Sequence, residues 1–117
     1  MRILTNSFGK EEKLCSEKDI DLVYKTGISF LSHPIVIYHL RKEEIPFSKV
    51  MVSVSKRKFK KAVDRNLLKR RMREAYRLNK SILKTPSFLA FVFVGNEPAT
   101  YQAIEKAIVH GLQRING

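Results

Sequence analysis

The chain has 117 residues, 44% of them hydrophobic and 29% charged, with 23 Lys+Arg against 11 Asp+Glu for a net charge of +12. That is the length of one domain, with enough apolar content for a core, too much charge for an integral membrane protein and too much hydrophobicity for a disordered basic tail. The longest apolar run, Phe88 to Val94, has seven residues, against the roughly 20 that a membrane helix needs. No apolar stretch precedes Lys10, Glu11, Glu12 and Lys13, so export is not expected, and Cys15, the single cysteine, can form neither an internal disulfide nor a cysteine-based zinc site. A cytoplasmic protein of one domain over 1–117, with 1–12 a flexible arm, is the expectation.

Ser16 followed by Asp19 resembles a capping box, and Gly27 suits a helix C-terminus, which predicts a short helix over 17–26 with the stripe Ile20, Val23, Tyr24. A weak strand signal lies at Ile28 to Leu31. Ile35 to Leu40 and Lys49 to Ser55 are rich in β-branched residues. The second alternates, putting Val50, Val52 and Val54 on a core face and Met51, Ser53 and Ser55 on the other. The polar connection Arg41 to Ser48, with Pro46, suggests that these two strands form a hairpin. Ala62 to Asn79 lacks Gly and Pro and predicts the main helix. On its wheel Arg65, Lys69 and Arg73 form one stripe, flanked by Asn66, Arg70 and Arg77, while Val63, Leu67, Leu68, Ala75 and Leu78 lie opposite, interrupted by Asp64 and Arg71. Pro86 closes the next loop, Phe88 to Val94 reads as a buried central strand, and Tyr101, Ile104, Ile108, Leu112 and Ile115 mark an amphipathic helix over about 100–115. This order predicts an α+β sandwich with one sheet.

The charge is concentrated. From Lys56 to Arg77 there are eleven basic residues, Lys58, Lys60 and Lys61 among them, and two acidic ones, a local excess of +9 that leaves +3 for the rest. Such a field repels itself in the free protein, and a polyanion that releases counterions on binding is the usual reason to keep it. A solvated lysine-rich face would carry interspersed acids, and a membrane-surface helix would want large apolar groups opposite its charges. Catalytic signals are weak. His33, His39 and His110 lack nearby ligands, Cys15 has no neighbouring histidine, and no phosphate-binding glycine loop exists. Glu11-Glu12 and Glu43-Glu44 read as solvated pairs, although such a pair could hold a hydrated metal ion.

The run Ala62-Val63-Asp64-Arg65-Asn66-Leu67-Leu68-Lys69-Arg70-Arg71-Met72-Arg73-Glu74 resembles the signature A-x-x-R-N-x-[IL]-K-R-x-x-R-[EQ] of the bacterial ribonuclease P protein subunit. Ser53-Val54-Ser55-Lys56-Arg57 is similar to that family's S-V-S-K-[KR] strand end, and Asp19 to Gly27 to its D-F-x-x-[VI]-[YF]-K-x-G segment, so the likeness covers most of residues 13–115. The resemblance implies a two-layer α-β-β-β-α-β-α sandwich, with a single sheet and a left-handed β-α-β crossover through the basic helix, a hand that general rules would not predict.

It further implies a protein without catalytic residues or a bound cofactor, the accessory subunit of a tRNA 5′-maturation endonuclease. Catalysis and its Mg2+ then belong to a partner RNA bound one to one by a protein monomer. By the same resemblance Lys56, Arg57, Lys58, Lys60, Arg65, Asn66, Lys69, Arg70 and Arg73 face that RNA. Ile20, Tyr24, Val36, Tyr38, Met51, Ser53 and Ser55 line a cleft for the 5′ leader of precursor tRNA. Ile20 stands where the family usually has Phe, Lys60-Lys61 where Gly-Asn is common, and Met51 where Gly is frequent. The alternatives are a stand-alone basic RNA- or DNA-binding protein of ribosomal type and an autonomous nuclease. The extended Val50 to Ser55 before the basic helix leaves no room for a helix-turn-helix, and the nuclease has no residue set behind it.

Overall fold

A computed structural model describes residues 12–116. Three helices, α1 (Glu17–Thr26), α2 (Ala62–Asn79) and α3 (Tyr101–Asn116), accompany four strands, β1 (Ile28–Ser32), β2 (Ile35–Arg41), β3 (Lys49–Val54) and β4 (Ser87–Phe93), in the order α-β-β-β-α-β-α. The proposed arm 1–12 lies, but for Glu12, outside the described residues.

The single sheet runs β1-β2-β4-β3. The expected hairpin between the second and third strands does not form: β4 lies between them, antiparallel to β2 and parallel to β3. Local sequence shows the connection at 41–48 but not the partner arriving from forty residues downstream, and β4, apolar at nearly every position, is the strand suited to burial on both faces. Pairing β3 with β4 in parallel requires a crossover, and α2 supplies it.

Two cores result. On one face Ile35, Ile37, Val50, Val54, Leu89, Phe91 and Phe93 meet Leu68, Met72, Ala75 and Tyr76 of α2 and Ile104, Ala107, Ile108 and Leu112 of α3. On the other, Phe88 and Ala90 join Val23 of α1 and Leu14, with Ile20, Tyr38, Leu40 and Met51 against them. The long α2–α3 layer closes its face of the sheet. The ten residues of α1 cover only part of theirs.

α1 begins where the Ser16 hydroxyl accepts the Asp19 N–H, 3.4 Å away, and ends at Gly27. Gly27 is required by space rather than by an unusual backbone angle: a Cβ there would lie 2.5 Å from the Val23 carbonyl oxygen and 2.9 Å from that of His39. The chain thus passes from α1 into β1 directly against β2. The β3 edge is covered by residues 13 and 14, the Leu14 N–H donating to the Val50 carbonyl over 2.9 Å.

Candidate nucleic-acid interface

The basic region starts in a loop whose backbone is fixed at several points. Ser55 Oγ accepts the N–H groups of Arg57 and Lys58 at 3.1 and 3.3 Å, making a hydroxyl-stapled turn. Phe59 is buried, its ring meeting that of Phe93 edge to face at 5.7 Å. Lys58 Nζ donates to the Val94 carbonyl, 2.9 Å away, and Arg65 reaches back from α2 to the carbonyls of Phe59 and Lys60 at 2.8 and 2.9 Å. Lys56, Arg57, Lys60 and Lys61 are left exposed on this framework. A charge carried on a fixed backbone loses less conformational entropy when it is bound.

The phase of α2 differs from the wheel expected of it. The buried stripe is Leu68, Met72, Ala75 and Tyr76. Val63 and Leu78, assigned to the packed side, are 73% and 42% exposed. Val63, Asn66, Arg70 and Arg73 are exposed, with Arg65 and Lys69 half-buried along one margin and Arg77 half-buried one turn beyond Arg73. The stripe Arg65-Lys69-Arg73 is therefore one border of the exposed face and Asn66-Arg70 is its centre. Two long side chains account for the shift. Arg65 is turned into the loop, and Arg71, across the helix, donates to the Ala99 carbonyl and ties α2 to the entry of α3. Glu74 is engaged by Arg77 at 2.6 Å, which holds its carboxyl below the ordinary carboxylate range. Among the described residues no carboxylate pairs with Lys56, Arg57, Lys69, Arg70 or Arg73.

The half-covered face of the sheet gathers the other group. In register, Tyr38, Ala90 and Met51 form one row and Val36, Val92 and Ser53 the next. Leu31 extends the second row across β1 and is 57% exposed. Ile20, Met51 and Tyr38 pack against the same buried cluster, and the Tyr24 ring of α1 meets that of Tyr38. Six of the seven expected cleft residues, Ile20, Tyr24, Val36, Tyr38, Met51 and Ser53, thus share one shallow trough of apolar floor and aromatic wall. Ser55 stands apart, past the end of β3, its hydroxyl oxygen taken by the turn. Ala90, Val92 and Leu31 complete the floor. Sequence reading had no signal for them, because the row containing each is set by which strands become neighbours.

Trough and helix meet at the β3 edge, where Met51 and Arg73 line the same groove with Lys13 and Cys15. The acid pairs bind nothing in common: Glu12 joins Lys80 at 2.8 Å, Glu43 and Glu44 turn to Arg41 and Lys42, and Glu11 lies outside the described residues. Among the described residues there is no cluster of three or more His, Cys, Asp or Glu, and no helix long and apolar enough to cross a membrane.

The family model described as Ribonuclease P matches residues 8–116. The ribonuclease P protein component of Porphyromonas gingivalis is 36% identical over 97% of this chain and 89% of its own length, and that of Clostridioides difficile is 38% identical over 93% and 96%. The RNase P protein of Staphylococcus aureus superposes with a TM-score of 0.78 at 26% identity, covering 89% of this chain and 94% of that one. The RNase P protein of Thermotoga maritima shares the fold with a TM-score of 0.78, covering 91% and 99%.

Proposed function

The chain belongs to the ribonuclease P protein family, and on that footing we propose that it binds the catalytic RNA of ribonuclease P through α2 and the 55–61 loop, and holds the 5′ leader of precursor tRNA in the trough beside α1. The observation that carries this reading is the contiguity of two unlike surfaces. Unpaired cations around Asn66 and Arg70 pass, across the β3 edge at Arg73 and Met51, into an apolar and aromatic trough.

Each surface suits one of the two RNAs. Guanidinium groups one helical turn apart follow a folded phosphate ridge, and the Asn66 amide both donates and accepts. The trough offers the Tyr24 and Tyr38 rings and an apolar floor to unpaired bases, a contact that tolerates sequence because every base has an apolar face. The protein's part in cleavage is then positional: one monomer bound to the RNA keeps the leader aligned with an active site that the RNA builds with its own Mg2+.

The test is reconstitution of the cognate catalytic RNA with and without this protein on precursor tRNA at low magnesium. Protein-dependent cleavage at the mature 5′ end is expected, lost when Arg70 and Arg73 are reversed to Glu. Cleavage by the protein without RNA, or equal binding to unrelated duplexes, would overturn the reading.

A further inference from the structure

A cavity of about 360 Å3 opens where the ends of α1 and α3 meet β1, β2 and the 83–87 segment, away from α2 and sharing no residue with the trough described above. Ile28, Leu40, Leu83 and Ile115 give it apolar walls, and Arg41 and Lys84 stand on a lining that contains no Asp or Glu. Ligand cavities of this size commonly combine apolar walls with a few placed polar groups.

The electrostatics of this corner are positive. Burial, and then the charges of Arg41 and Arg114, push the His39 imidazole below its ordinary value. Arg114 stacks over the Phe30 ring at 4.3 Å, and Phe30 in turn meets His39 edge to face at 5.9 Å, so an aromatic ring and a cation back the imidazole that lines the cavity. The carboxylate near Arg41 is that of Glu43, 3.9 Å away with both side chains mostly exposed, a pair that water and salt screen readily. Lys84 is exposed, and its backbone N–H donates to Asn116 Oδ1 over 3.0 Å.

We propose that this cavity binds one nucleotide unit, the base against Ile28, Leu83 and Ile115 and the phosphate between Arg41 and Lys84. An apolar slot alone would suit any small ring and a cationic rim alone any anion; the two together select a flat ring that carries a phosphate. The unit is either a free nucleotide or an unpaired nucleotide of a bound RNA. The inference stands on residues outside α2 and the trough, and is independent of the reading given to them.

The experiment is NMR titration of the protein with adenosine monophosphate, adenosine and inorganic phosphate, following the Lys84 and Thr85 amides and the His39 ring. Adenosine monophosphate is expected to produce saturable shifts at all three and to raise the His39 titration midpoint, with adenosine and phosphate each weaker. Arg41→Gln and Lys84→Gln, both at exposed positions, should each lower its affinity about tenfold. Absence of saturation at millimolar nucleotide, shifts confined to α2, or adenosine binding as tightly as its phosphate would overturn the proposal. If the nucleotide binds, the affinity of the Arg41→Gln/Lys84→Gln protein for the catalytic RNA identifies the source. A loss there assigns the cavity to a nucleotide of that RNA, and full retention assigns it to a free nucleotide.

Discussion

The rings of Tyr24 and Tyr38 meet edge to face, their centroids 4.6 Å apart and their planes at 72°, joining α1 to β2 in one aromatic corner. Burial, and then the proximity of Tyr38, raises the Tyr24 phenol above its ordinary value, so it stays protonated and able to donate. Tyr24 keeps 37% of its surface in solvent, whereas Tyr38 packs against the cluster around Val23 and Ala90. Tyr24→Ala is therefore the cleaner probe. It should leave catalytic-RNA affinity nearly unchanged and weaken precursor tRNA binding by about 1 to 3 kcal/mol for a lost base stack. Mature tRNA should not register the change, and a holoenzyme whose preference for precursor over mature tRNA survives intact would exclude the tyrosine from the leader path.

Affinity for the catalytic RNA should fall steeply with salt, with a log–log slope of roughly −4 to −7 if some five to eight phosphates are neutralised. Reversal of Arg70 and Arg73 should make that slope shallower by about one unit per lost contact. Filter binding over a salt series measures it, and an unchanged slope with the fold intact would move the interface elsewhere.

Asn66 and Arg71 separate recognition from architecture. Asn66→Ala should cost about 1 to 3 kcal/mol of RNA affinity, as for an amide that loses its partners in a buried interface, with little effect on stability. Arg71→Ala should instead release the Ala99 carbonyl and cost about 1 kcal/mol of folding stability, with RNA affinity nearly unchanged. Paired denaturation and binding curves decide it, and equal binding losses would mean that the helix presents a different face.

Gly27→Ala tests the close approach of α1 to β2. The added methyl meets backbone oxygens that no rotamer change can move, so a loss of about 2 kcal/mol or more is expected. A neutral result in urea denaturation would contradict this junction.

His39 supplies a pH signature. Its imidazole titrates lower in the fold than in the unfolded chain, so below the ordinary value of about 6.5 the unfolded chain binds the extra proton. Its contribution is complete above that pH and declines as the medium becomes more acidic. Unfolding curves at about pH 7.5 and about pH 5.5 should differ less for His39→Gln than for the parent, and an equal difference would remove His39 as a source.

Sequence reading recovered elements wherever local pattern suffices. An unbroken run of helix formers marked α2 at its observed ends, and the alternation of Val50, Val52 and Val54 marked the core face of β3. The failures share one physical origin. Whether Val63 is buried depends on how α2 is rotated over the sheet, and that rotation is set by Met72 and Tyr76 reaching the core, by Arg65 bonding back to the loop carbonyls of Phe59 and Lys60, and by Arg71 bonding to the distant carbonyl of Ala99. Likewise, the adjacency of Tyr38, Ala90 and Met51 depends on β4 entering between β2 and β3. Long-range pairing leaves no trace in the spacing of nearby residues. Gly111 gave no signal either, although a Cβ there would come within 2.2 Å of Ile37 Cδ1 where α3 rests on the sheet.

The placing of β4 also makes the two ends of the chain unequal for protein synthesis. A ribosome that stops at Pro86 has already made α2 with its whole cationic face, yet it has not made the strand to which both β2 and β3 are hydrogen-bonded. A stop ahead of β4 therefore removes the middle of the molecule and not its margin. What it leaves behind is a highly basic fragment in which β2 and β3 have lost the strand that joins them.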